Sequence, residues 1–309
     1  MEQQQASGVN KSNRKPNFLI VGAAKAGTTS LANYLNQHPD IFIPEAKELR
    51  FFVKDTILKT NPKDPLLKGI LKSSVLDEDD YFALFQRKEK LLGEASVHYL
   101  YHYEEAIPKI KKYLGDIPII IMLRNPVKRA ISNYEYLKGI HTRSFSKELK
   151  LEESRINEQF NAFWYYKQLG LYYKQVNAYL KAFKQVKVII FEDFVKNQQT
   201  EMDELFKFLG VSPISLNFKI HNQSVNHSML RRFVNKTRIS IFFKFFLPSN
   251  KKEHIIKKLT PILVSNKKNH LTDDELIELK TFFKEDTLNL ESLLNIKLDN
   301  WYINYTNKT

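Results

Sequence analysis

The sequence predicts an α/β protein of three layers, with a central, mainly parallel sheet flanked by helices. Three observations predict it. Short apolar runs of strand length at 18–21, 91–95, 118–123 and 186–191 alternate with stretches of helical apolar spacing, and no linker interrupts them. The first run ends in a glycine-containing turn that opens directly into a helix. With 43% apolar residues in 309, the chain can bury one substantial core, so a single domain is expected over 17–301, between a disordered tail at 1–16 and a short tail at 302–309.

Residues 17–35, NFLIVGAAKAGTTSLANYL, form the first unit. Phe18 to Val21 are closed by Gly22, and Ser30, Leu31, Tyr34 and Leu35 begin a helical spacing after Thr28 and Thr29. Such a turn lines up backbone N–H groups at the positive end of a helix dipole, which suits a phosphate or a similar dianion. Gly22 and Gly27 permit close backbone approach. Gly22, Gly27 and Thr29 keep the GxxxxGK[ST] spacing of a Walker A loop, so the fold is P-loop-like, but Thr28 stands in the lysine position and the lysine is Lys25, inside the loop. The best later strand, IPIIIMLRNP at 117–126, ends in Arg124 and not in a carboxylate for magnesium. These residues describe a nucleotide-phosphate site that needs no metal.

His38 and Pro39 end the first helix, and Ile41 to Ile43 make a short strand. PEAKELRFF at 44–52 puts charged residues directly before paired aromatics; on chemistry alone, Glu48 is either a catalytic carboxylate or a loop carboxylate paired with Lys47 or Arg50. Residues 53–78, with Pro62, Pro65 and several lysines, lack periodicity and read as a surface excursion. A helix over 79–87, a strand over 91–95 and a helix over 103–113 follow. His98 and His102, four apart, would align on one helix face. HYLYH lacks the glutamate of a zinc protease motif, and no third ligand offers itself, so no metal is expected. Arg124 at the end of the strand 118–123 and Ser132, two turns into the next helix, can converge on one phosphate through a forked cation and a hydroxyl. A strand-end arginine in a salt bridge is the plainer alternative. Pro126 suits the first turn of that helix.

The stretch 139–163 is polar and charged. WYYKQLGLYYKQVNAYLKAF at 164–183 reads as one helix whose aromatic stripe is core, not a stacking surface for sugar or adenine. A strand over 186–191 and a helix over 200–209 repeat the unit. ISIFFKFFL at 239–247 is too short to span a bilayer; it is either a core helix or, with its flanking lysines, a peripheral contact to an anionic membrane or lipid-linked acceptor. The segment 273–301 is amphipathic and closes the domain.

The loop at 17–35 resembles the 5′-phosphosulfate loop of sulfotransferases that use 3′-phosphoadenylyl sulfate (PAPS), and IMLRNPVKRAISNYEY at 121–136 resembles their 3′-phosphate motif. HPDIFIPEAKELRFF at 38–52 is most similar to the heparan sulfate N- and 3-O-sulfotransferase branch and its bacterial relatives, and the likeness runs, with gaps, to Trp301. The resemblance implies sulfuryl transfer from PAPS to a hydroxyl or amine of a glycan or glycolipid. It implies that Lys25, Ala26, Gly27, Thr28, Thr29 and Ser30 hold the 5′-phosphosulfate, and that Arg124 and Ser132 hold the 3′-phosphate, with Arg231 and Arg232 in a loop closing over it. Lys25 is then the residue that stabilises the leaving oxygen, and Glu48, ahead of Phe51 and Phe52, the general base. Ala95 stands where animal members often carry a lysine, which leaves Ser96 and His98 as the polar groups offered to the acceptor. Segments such as 53–78 and 139–163 border the acceptor cleft in that family, and EDF…FLGV at 192–211 recurs in it as scaffold.

The net charge of +14 points to an anionic partner or, equally, to a lysine-rich solvated surface. No basic run is dense enough for nucleic acid. The absence of cysteine excludes disulfides and thiolate metal sites. MEQQQASGVNKSNRKP has no apolar signal region, and the Golgi anchor of the eukaryotic family members is not seen, so a cytoplasmic, bacterial enzyme is expected. Two other classes fit parts of the pattern: a P-loop nucleotide kinase, and a non-catalytic anion- or membrane-binding protein.

Overall fold

The structure, a computed structural model, describes residues 14–218 and 271–302. Five strands, β1 (Phe18–Gly22), β2 (Ile41–Phe42), β3 (Leu91–Ala95), β4 (Ile119–Leu123) and β5 (Val186–Ile190), form one parallel sheet in the order β2-β3-β1-β4-β5. β1, β3 and β4 are buried at every position. Successive side chains point to opposite faces, so a strand apolar throughout needs cover on both. On one face Leu19, Val21, Ile119 and Ile121 pack with Tyr99, Leu100, Val176 and Tyr179; on the other Phe18, Ile20, Ile120 and Met122 pack with Leu31, Leu35, Phe194 and Leu205. Each such side chain stabilises the fold by roughly 1.5–3 kcal/mol. Helices His98–Tyr101, Tyr103–Leu114 and Tyr172–Ala182 supply the first layer, and Thr28–Leu35 with Gln198–Phe208 the second.

The chain leaves β1 for β2 and β3 on one side and then crosses to β4 and β5 on the other. β1 is therefore the point at which the strand order reverses. The loops after β1, β3 and β4 open at the same carboxyl edge, where open α/β sheets bind ligands.

The aromatic segment 164–183 is not one helix. Ala162–Trp164 and Gln168–Gly170 are separate 3-10 turns, and the α-helix begins only at Tyr172. Carboxylates distant in sequence decide this. Asp286 accepts the N–H of Tyr172 at 2.7 Å and of Tyr173 at 3.2 Å, and Glu152 accepts those of Lys167 and Gln168, both at 2.8 Å. The stripe is core as expected, with Tyr166, Tyr172 and Tyr179 fully buried. The stretch 139–163 contains the short helices Phe145–Lys150 and Glu152–Asn157, and 53–78 contains Lys54–Leu58 and Leu67–Ser73. The C-terminal helix, opened by a capping box of Thr272 and Glu275, spans Asp273–Leu294; Asn295 turns left-handed at φ 51° and ends it. Ahead of β1, Arg14 donates to the carbonyl of Glu89 at 2.6 Å. Among the described residues no helix is long and apolar enough to cross a membrane. The run 239–247 lies outside the described residues.

Candidate active site

After β1 the chain turns through 23–27 into helix Thr28–Leu35. Gly27 is its N-cap at φ 96°, no side chain caps it, and its first turn carries no acidic residue. Nothing therefore offsets the positive end of the dipole from within the helix. Gly27 is required twice over: φ is left-handed, and a Cβ would lie 2.8 Å from the Phe191 ring. Thr28 is buried and Thr29 exposed.

Cations gather at this turn. Lys25, also left-handed at φ 65°, has its ammonium 4.0 Å from the centre of the Tyr136 ring. Burial lowers its pKa to about 8, and the charges of Arg124 and Arg129 push the same way. Arg124, at the end of β4, donates to the Lys25 carbonyl at 3.1 Å and packs its guanidinium over Phe191. Arg129, on helix Pro126–Leu137, is fully buried; it donates to the Tyr166 carbonyl, while its Nε and Nη1 have no hydrogen-bond partner among the described residues. Ser132 is half-buried two turns into that helix, whose start is set by Pro126 and by Asn125 accepting the Lys128 N–H at 3.0 Å. Arg231 and Arg232 lie outside the described residues.

A second cluster faces the turn from the end of β3. Leu49, Phe51 and Phe52 are buried, the two rings within an aromatic group that includes Tyr81, and they anchor the loop that carries Glu48. The Glu48 N–H donates to the Ala95 carbonyl at 3.1 Å, and the Arg50 N–H to Ser96 Oγ at 3.1 Å. Glu48 Oε2 accepts the Val97 N–H at 3.2 Å and lies 3.4 Å from His98 Nδ1 and 3.8 Å from Arg50 Nη2. Burial pushes this carboxyl up, but hydrogen bonding at His98 and the charges of Arg50 and Lys47 outweigh it and hold it below the ordinary glutamate value. Glu48 keeps 23% of its side chain exposed, so an ionised carboxylate is presented to solvent.

Ser96 and His98, the polar groups expected to face the acceptor, both lie inside. Ser96 is fully buried; it donates to Glu94 at 2.5 Å and accepts from the Arg50 N–H, so it braces the strand end. His98 is only 4% exposed, wedged between Glu48 and, at 3.3 Å from its Nε2, Asn161 Oδ1. Burial holds its imidazole below the usual range, and lowers its stacked neighbour His102 to about 3. No group of three or more His, Cys, Asp or Glu able to hold a metal ion occurs among the described residues.

Some features were not legible as site features. Three of the five non-glycine residues with positive φ among the described residues are Lys25, Glu48 and Arg50. Each costs about 1–2 kcal/mol, and backbone strain of this kind gathers at functional sites. Arg129 was hidden inside the motif that contains Arg124. Glu94, on β3, receives hydroxyls from Ser96, Tyr81 and Tyr99, and burial raises its pKa to about 7. Lys47, adjacent in sequence to Glu48, donates to the Thr28 carbonyl at 3.4 Å and so spans the two clusters.

The family model described as the sulfotransferase family matches residues 16–214. A sulfotransferase from Alicyclobacillus acidocaldarius superposes with a TM-score of 0.72 at 34% identity, over 94% of this chain and 100% of that one. The heparan sulfate glucosamine 3-O-sulfotransferase 5 of Mus musculus is 23% identical over 263 residues, covering 77% of this chain and 70% of its own length. The bifunctional heparan sulfate N-deacetylase/N-sulfotransferase 3 of Mus musculus is 29% identical over 221 residues, 65% of this chain; the chain spans only 23% of that relative's length.

Proposed function

This chain belongs to the sulfotransferase family, and we propose that it moves a sulfuryl group from PAPS to a hydroxyl or amine of a carbohydrate or glycolipid acceptor. The observation that carries this reading is the pairing, at one sheet edge, of an uncapped helix start ringed by Lys25, Arg124 and Arg129 with a part-exposed carboxylate, Glu48. Cations gathered at a helix start whose first turn holds no acidic residue suit a polyanionic nucleotide. The heparan sulfate enzymes among the relatives favour a carbohydrate as acceptor.

In this reading the N–H groups from Gly27 to Ser30 hold the 5′-phosphosulfate, Arg124 and Ser132 take the 3′-phosphate, and Arg231 and Arg232 close over it. Lys25 neutralises charge that develops on the bridging oxygen as the sulfur–oxygen bond breaks. Glu48 takes the proton of the acceptor. Its pKa is depressed, so the transfer draws on the rising acidity of the acceptor as its bond to sulfur forms and not on a strong ground-state base. Positioning and charge stabilisation do most of the work, as in phosphoryl transfer.

The test is calorimetric titration in EDTA with adenosine 3′,5′-bisphosphate beside adenosine 5′-monophosphate. Strong preference for the bisphosphate, lost in Arg124→Ala, is expected, followed by transfer from labelled PAPS to oligosaccharide acceptors. Equal affinity for the two nucleotides, or binding that requires magnesium and ATP, would overturn the reading in favour of a kinase or a simple anion binder.

A further inference from the structure

We propose that Lys47 is a second cationic contact to the 5′-phosphosulfate end of the donor, reaching it from the loop that carries the base; this rests on the donor-site reading above. The geometry is specific. Lys47 projects from the loop bonded to the end of β3, yet its ammonium reaches across to the first turn of helix Thr28–Leu35, 3.4 Å from the Thr28 carbonyl. Successive side chains diverge here, so Glu48 faces Val97 and His98 while Lys47 faces the turn.

An ammonium has three donors. At Lys47 one long hydrogen bond is found, and no ion pair within 4.0 Å occurs there among the described residues. The group is half-buried, against the first turn of a helix whose start no side chain caps and whose first turn holds no acidic residue. Burial lowers its pKa to about 8 against the pull of Glu48, the charged form being the one disfavoured. Such a cation is badly placed until an anion enters the turn, and then gains charge-assisted hydrogen bonds in a partly desolvated site. Lys25 and Lys47 would grip the same end of the donor from two different loops, with the acceptor side left to Glu48.

The experiment is binding, not turnover, because Lys47 adjoins the base. Wild type, Lys47→Ala and Lys47→Arg are titrated with adenosine 3′,5′-bisphosphate, adenosine 5′-monophosphate and adenosine 3′-monophosphate. Lys47→Ala is expected to weaken both 5′-phosphorylated ligands about tenfold and to leave the 3′-monophosphate within twofold. Lys47→Arg restores most of the loss. Unchanged binding of the 5′-phosphates, or an equal loss for all three ligands, overturns the proposal; the second outcome would make Lys47 a packing residue. The wild-type titration separately judges the donor-site reading, which fails if the bisphosphate is not preferred.

Discussion

The pH dependence of nucleotide affinity follows from the two lysines at the turn. Lys25 has its pKa lowered to about 8 by burial and by Arg124 and Arg129, so it is about 90% charged at pH 7 and about 10% charged at pH 9. A bound dianion favours the charged form and restores the higher pKa, so binding takes up a proton above pH 8. Affinity is therefore full below pH 8 and is lost as pH rises through it, by about tenfold, or ~1.4 kcal/mol, between pH 7 and pH 9 for one lysine. Lys47, lowered to about 8 by burial, makes the loss about a hundredfold if both contact the ligand. The nucleotide phosphates have already lost their last proton, near pH 6, and do not contribute. Calorimetry with adenosine 3′,5′-bisphosphate at pH 7, 8 and 9, at constant ionic strength and in buffers of different ionisation enthalpy, gives the affinity and the proton count together. Uptake near two protons at pH 9 is expected for wild type and near one for Lys25→Ala or Lys47→Ala. Identical affinity at pH 7 and pH 9 would refute the placement of these ammonium groups against the ligand.

Glu48→Gln should lower transfer by roughly 10²–10⁴-fold and keep bisphosphate affinity within threefold, and wild-type turnover in the variant would remove Glu48 from the chemistry. Glu94 carries a stability signature: burial raises its pKa to about 7, so the native state holds a proton that the unfolded chain gives up near pH 4.5. Stability is fully present below that value and declines as pH rises through 7, by about 3 kcal/mol; urea unfolding at pH 5 and pH 8 should show the drop in wild type and not in Glu94→Gln. Gly27→Ala should destabilise by at least ~1–2 kcal/mol and abolish bisphosphate binding, since φ 96° and the Phe191 ring at 2.8 Å both oppose a side chain; unchanged thermal unfolding would contradict that geometry.

Sequence by itself determined the features that depend on local spacing. Continuous apolar runs of strand length and helices with their start signals yield a three-layer, parallel α/β fold, because each run must bury both faces wherever it packs. Gly22, Lys25, Gly27 and Thr29 are legible as an anion turn, Pro126 marks the first turn of the later helix, and Arg124 is a strand-end cation for the same reason. Tertiary structure decided what depends on partners far along the chain. Asp286 sets where helix Tyr172–Ala182 begins from a position more than a hundred residues away, and no pattern within 164–183 announces it. Ser96 and His98 look available in a linear reading, and burial turns both inward. Lys47 looks like a surface partner for Glu48, and only the bond from the Glu48 loop to the end of β3 swings it over the Thr28 turn. A charge's role follows from its desolvation and its neighbours, and both are properties of the packed chain.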